Sequence, residues 1–131
     1  RRQRQMCIRD SSMSARFRKE ITVEAQQKDK DSILAFYKKL IAMRKTYPVI
    51  AEGGISFLET GTDMVLAYQR ILGEQQLVVL CNLDGKRQTI KTSGQWKDFK
   101  VLLENYEGRE MVLEEGTFTM EPYGFMVLIS K

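Results

Sequence analysis

Histidine is absent from all 131 residues, which removes the Ser-His-Asp and Cys-His arrangements and the usual zinc ligand sets. No G-x-G-x-x-G, Walker loop or EF-hand spacing occurs either. The carboxylates Asp29, Asp31, Glu104 and Glu107 have no partner at a spacing that would pair them for acid–base work, and they read as loop or capping acids. Glu114-Glu115-Gly116 reads as a hairpin turn. Trp96 is the only tryptophan, flanked by Gln95 and Lys97. Its indole could stack on a sugar ring, with Tyr106 extending the surface, or fold over a β core from a strand edge. Cys81 lies in an apolar run and reads as a small core residue, and with Cys7 far off in the N-terminal segment no disulfide framework or metal site can be built. No catalytic, cofactor-binding or metal-ligating residue is therefore assigned, and no cofactor is expected.

The net charge of +4 and the pI near 9.1 suggest nucleic acid only until the charge is located. Arg1, Arg2, Arg4 and Arg9 stand against Asp10 in the first eleven residues, and beyond them 17 basic residues face 16 acidic ones. That segment, RRQRQMCIRDS, also has a specific source. Met6 to Asp10 back-translate to ATG TGT ATA AGA GAC, the mosaic end of a transposase sequencing adapter, and Arg1 to Gln5 to the adjoining primer. Residues 1–11 are therefore read as adapter-derived and left out of the fold. An adapter fused in frame implies an open frame cut at its 5′ end, with sequence of biological origin beginning near Ser12. Neither a nucleic-acid nor a membrane partner is expected, the apolar runs Leu77 to Leu80 and Phe125 to Ile129 being too short to cross a bilayer.

Two kinds of element would have to position any side chain here. Residues 12–30 are polar and weakly patterned, a loop with a helical turn near Glu24 to Gln27. From Asp31 to Tyr47, Ile33, Phe36, Tyr37, Leu40, Ile41, Arg44 and Tyr47 follow the helical period. Asp31 or Ser32 can cap this helix, cations gather toward its C-terminal half, and Pro48 stops it. From Gly53 the period becomes two. Strands are expected at Ile55 to Glu59, Met64 to Arg70, Gln76 to Asn82, Gln88 to Lys91, Val101 to Asn105, Glu110 to Leu113, Thr117 to Met120 and Gly124 to Ser130. Glycine-bearing turns separate them, at Gly61, Gly73, Gly85, Gly94, Gly108 and Gly116. The fold class is mainly β, an antiparallel sandwich of about eight strands preceded by one amphipathic helix. The unalternating runs at Leu77 and Phe125 belong in its middle, buried on both sides.

The stretch Glu20-Ile21-Thr22-Val23-Glu24-Ala25-Gln26, Asp31-Ser32-Ile33-Leu34, Phe36-Tyr37-Lys38-Lys39-Leu40-Ile41, Arg44-Lys45 and Tyr47-Pro48-Val49-Ile50 resembles one place in a known family. It is similar to the junction between the catalytic barrel and the C-terminal domain in glycoside hydrolase family thirteen, the alpha-amylase family. The pattern is that of the alpha-glucosidases and oligo-1,6-glucosidases. Leu77 to Leu83 resembles a strand of that C-terminal domain, and Pro122-Tyr123-Gly124 its closing turn. Thr22 stands where Asn is common, Lys30 where Pro is common, and Ala15-Arg16-Phe17-Arg18 where an Asn-Pro-Asn-Tyr-like stretch is usual. Trehalose-6-phosphate hydrolases and dextran glucosidases share the same tail pattern.

The resemblance implies a C-terminal fragment of a retaining hydrolase of α-glucosidic bonds in short oligosaccharides. Residues 12–30 would be a loop from the truncated catalytic domain, residues 31–50 the last barrel helix, and residues 51–131 the C-terminal β-sandwich. The partner would be the missing catalytic barrel of the same chain, with oligosaccharide bound only in the parent enzyme. The expected location is cytoplasmic. The family's catalytic motifs lie upstream of the helix, so none is carried onto this sequence. The rival reading is a freestanding carbohydrate-binding β-sandwich using Trp96 and Tyr106.

Overall fold

The computed structural model describes residues 22–92, 96–106, 113–114 and 116–130. Residues 1–11, read above as adapter-derived, the first part of the expected loop 12–30, and the expected turns at Gly94, Glu107-Gly108 and Glu115 lie outside the described residues, as does most of the strand expected at Glu110 to Leu113. The chain divides into two compact units, one ending at Lys45 and the other beginning at Thr46.

In the first unit, α1 (Val23–Lys28) starts where the Thr22 hydroxyl accepts the Ala25 N–H at 3.1 Å. It ends at Asp29, whose Oδ1 accepts the Asp31 N–H at 2.9 Å in a local turn. Of the two candidate caps for the next helix, α2 (Ile33–Thr46), the structure selects Ser32. Its Oγ accepts the Ala35 N–H at 3.2 Å and sits 2.7 Å from the Gln26 carbonyl, which it can donate to. Gln26 completes the joint by accepting the Leu34 N–H through Oε1 at 3.1 Å. Two of the otherwise unpaired first-turn donors are thus satisfied by side chains. The helix is shorter than its periodicity suggested because Ser32 spends its side chain on capping and Tyr47 precedes a proline. No residue of α2 is fully buried, and Ile33, Tyr37 and Ile41 are exposed.

In the second unit Pro48 both prevents continuation of a helix and starts a new turn, α3 (Val49–Glu52), its carbonyl accepting the Ala51 and Glu52 N–H groups. Eight strands follow among the described residues: β1 (Gly54–Phe57), β2 (Val65–Leu72), β3 (Gln75–Asn82), β4 (Gln88–Lys91), β5 (Lys100–Glu104), β6 (Leu113–Glu114), β7 (Thr117–Met120) and β8 (Phe125–Ile129). They form two sheets, ordered β1-β2-β3-β8-β5 and β4-β7-β6, with every pairing antiparallel. The β2–β3 hairpin closes through Gly73 and Glu74, and Gly73 adopts φ +60°, a conformation that a Cβ would strain.

The two unalternating runs lie in the middle of the larger sheet as expected, β3 as its central strand and β8 beside it, but their outer face is fully buried only at Leu77 and Ile129, with Val79, Cys81, Phe125 and Val127 half-buried. Register explains why both of their faces are apolar. Ala67, Leu80 and Met126 pair across three strands and face the other sheet, joining Val65, Val78, Leu128, Ile90, Phe118 and Met120 in the main core. The opposite face carries Leu77 and Ile129, which pack with Val49 of α3 in a second, smaller core. Arg70 ties α3 down by donating to the Gly53 carbonyl, at 2.8 Å from Nη2. Although the strand period starts only at Gly53 and the β-sandwich was expected to begin at residue 51, α3 is thus an integral part of the β-domain.

Candidate functional site

Trp96, the one side chain whose chemistry suggested sugar binding, is 6% exposed and packed in the main core. Its ring lies with Phe118, Met120 and the inner faces of β2, β3 and β8. Tyr106 is half-buried and donates its hydroxyl to the Pro122 carbonyl at 2.7 Å. The stacking platform proposed from Trp96 and Tyr106 is therefore not formed. The physical reason is that the indole's large apolar area is worth more against the core than against water.

The acids divide in the same way. Asp29 holds the α1–α2 turn, Asp31 is exposed, and Glu104 ends β5 half-buried. Glu107 lies outside the described residues. Among the described residues no three His, Cys, Asp or Glu side chains stand together as a metal site.

What the fold does bring together is a set of polar side chains around the turn between β7 and β8. Asn82 is buried at 3% exposure. Its Nδ2 donates to the Lys86 and Glu121 carbonyls, both at 2.8 Å, and its Oδ1 accepts the Asp84 N–H at 3.0 Å. Asn105 clamps the other side, accepting the Phe125 N–H at 2.8 Å and donating to the Tyr123 carbonyl at 2.9 Å. Tyr123, between Pro122 and Gly124, is held at φ +52°. Arg87 makes a two-pronged pair with Glu121, at 3.0 Å from Nε and 2.7 Å from Nη2, which raises the guanidinium pKa chiefly through the hydrogen bond. Gln88 donates to Asp84 at 2.8 Å. Every group in this cluster is spent on backbone or on a neighbour, so it fixes a turn.

The cluster encloses a cavity of about 20 Å³ between Glu104, Tyr106, Met120 and Gly124, room for one water and not for a sugar. A hollow of about 450 Å³ under the β1–β2 loop, lined by Glu59, Thr60 and Asp63, is wide open to solvent. There the Thr60 hydroxyl faces the Thr62 and Val65 carbonyls of its own loop, at 2.8 and 3.2 Å. Of the two readings of Trp96, the one that folds it over the β core is borne out, while sequence reasoning missed Asn82 and Asn105. A signal was present for Asn82, the only polar residue to close the run Leu77 to Leu83.

Cys81, facing away from the main core on β3, is half-buried, and that burial raises its thiol pKa. Tyr68, its diagonal neighbour, is raised too, by burial first and then by the Cys81 charge, with Arg70 pulling it back. These shifts disfavour the anionic forms of both groups.

Residues 65–127 match the family model of the alpha-amylase SusG C-terminal domain. A palatinase of Erwinia rhapontici is 34% identical over 112 residues, which is 83% of this chain and 20% of that protein. An oligo-1,6-glucosidase of Parageobacillus thermoglucosidasius is 32% identical over 91 residues, 68% of this chain and 16% of that protein. Among solved structures, the trehalose-6-phosphate hydrolase of Bacillus licheniformis superposes with a TM-score of 0.73 at 29% identity, over 88% of this chain and 21% of that one. The chain thus spans about one fifth of the length of the curated relatives it matches.

Proposed function

The chain belongs to the alpha-amylase family through its C-terminal β-domain, and on that premise we propose that it serves as the structural tail of an α-glucosidase-like hydrolase. The observation that carries this reading is the extent of the similarity. It runs over 83% of this chain, too long a stretch to lie within residues 65–127 alone, yet takes up only 20% of a far longer relative. The polar cluster of the β-domain is consumed by its own turn and its tryptophan by its own core, so chemistry is left to the remainder of the longer protein.

In that protein α2 is the last helix of a catalytic barrel. Its exposed Ile33, Tyr37 and Ile41 fit a helix whose apolar stripe packs on a sheet outside these residues. Residues 12–30 are the loop leading to it. The substrate is an α-glucosidic bond in a short oligosaccharide. Cleavage proceeds with retention, through a carboxylate nucleophile and an acid/base carboxyl about 5 Å apart at the C-terminal ends of barrel strands. No residue of the present chain takes part. The proposed location is cytoplasmic; no described helix is long and apolar enough to cross a membrane.

The test is to read the gene upstream of Ser12 from adapter-free DNA and to assay the protein it encodes. The expected result is an open frame of several hundred codons and hydrolysis of isomaltose- or maltose-type disaccharides. Cleavage confined to a phosphorylated disaccharide would move the protein to the trehalose-6-phosphate hydrolases. A start codon beside Ser12 would overturn the reading.

A further inference from the structure

Tyr123 is the one non-glycine residue at positive φ among the described residues, at φ +52°. A bulky side chain makes this left-handed conformation costly, and such strain collects at sites that make use of it. Glycine would take the same backbone without strain. The β7–β8 turn holds Tyr123 there by main chain alone. Its N–H donates to the Asp84 carbonyl at 3.0 Å, and its carbonyl accepts from Asn105 Nδ2 at 2.9 Å. Beside it the Gly124 N–H closes back onto the Glu121 carbonyl at 2.9 Å. None of these bonds needs a tyrosine.

The side chain is left without an internal task. It is 67% exposed and belongs to neither core. Its hydroxyl makes no hydrogen bond among the described residues. Yet the ring has a seat. It rests over Gly85, where a Cβ would come within 3.1 Å of the hydroxyl and 3.6 Å of two ring carbons. One side of a flat ring is thus backed by bare main chain while the rest meets water. Polar groups edge it. Lys86 is exposed with no ion pair among the described residues, and Asp84 spends only one carboxylate oxygen, on Gln88. A protein or membrane partner would favour a broad apolar patch. A pyranose matches what is here, with C–H groups for the aromatic ring and hydroxyls for the phenol, ammonium and carboxylate around it. We propose that Tyr123, backed by Gly85 and edged by Asp84 and Lys86, is a stacking site for one glucose unit of an α-linked glucoside. The backbone is fixed before the sugar arrives, so binding has little left to order. That the sugar is an α-glucoside rests on the function proposed above.

The test uses the longer gene product labelled with 3-fluorotyrosine, the Tyr123 resonance being identified by its loss in Tyr123→Phe. A sulfur-linked maltotriose, which resists hydrolysis, is titrated in, with mannitol as the control. The Tyr123 fluorine resonance should move saturably with the trisaccharide and stay still with mannitol. Alanine suits the Gly85 backbone, which has no positive φ, but its methyl displaces the ring. Gly85→Ala should therefore need about tenfold more sugar for the same movement. No movement, equal movement with mannitol, or an unchanged requirement in Gly85→Ala would overturn the site. A Tyr123 resonance that does not shift between light and heavy water before sugar is added would overturn it too, because another part of the longer protein then covers the ring. Disaccharide hydrolysis is assayed on the same protein. Hydrolysis without movement removes only the stacking site, whereas movement without hydrolysis keeps the site and removes the hydrolase reading.

Discussion

Asn82 spends both ends of its amide inside the fold, which makes it the polar side chain on which the end of the β-domain depends. Replacing it with alanine takes their present partner from the Lys86 and Glu121 carbonyls and the Asp84 N–H. We expect Asn82→Ala to cost about 3 kcal/mol, read as a lower urea midpoint at unchanged slope. Trp96→Ala should cost about 3–5 kcal/mol by opening a cavity beside Phe118 and Met120. It should leave any glycan affinity unchanged in isothermal titration, since the indole never reached the surface. Cys81 and Tyr68 make the β-domain sensitive to alkali. Both are raised above their ordinary values of 9.0 and 10.0, so the fold favours their neutral forms over the unfolded chain. Their contribution is fully present below those values and is lost as pH climbs through the raised ones. Unfolding followed from about pH 7 to about pH 11 should show that decline, and Cys81→Ala should remove the thiol part of it.

At the scale of the element, the joint between α1 and α2 is held by Ser32 and Gln26 more than by helix propensity. Ser32→Ala should destabilise the start of α2 by about 1 kcal/mol. Hydrogen exchange would register this as faster exchange of the Ala35 amide, whose acceptor is the lost hydroxyl. The exposed Glu24–Lys28 pair, at 3.0 Å, is an ordinary i,i+4 ion pair in water and adds little beside the cap. Gly53 is constrained by crowding, since a Cβ there would come within 2.6 Å of the Val49 carbonyl oxygen, with Ile71 O 3.2 Å away. Gly53→Ala should therefore loosen α3 from the sheet, detectable as selective loss of amide protection in α3 and β1.

For the whole molecule, the sequence carried the order and type of elements because both are local properties. The helical period over Ile33 to Ile41, the proline after it and the alternation beyond Gly53 depend on neighbours a few residues apart. Strand existence was legible for β1 to β5, β7 and β8, and ends shifted by a residue or two where hydrogen bonding with a partner strand set the limit. The location of the positive charge, the absence of histidine and the family likeness were equally readable before any fold was known.

Exposure was not legible, because it depends on what lies across the sheet. Trp96, for which the sequence left a sugar-stacking surface and a place over the core both open, and Phe57 illustrate this in opposite directions. A loop-edge tryptophan between polar neighbours went into the core, while a strand phenylalanine stands open to solvent. Nothing within five residues of either distinguishes the two fates. The sequence by itself determined a helix, a β-domain and a family. Only the tertiary structure decided which polar groups were already spent and which apolar face was left uncovered, since pairing between strands far apart in the chain sets both.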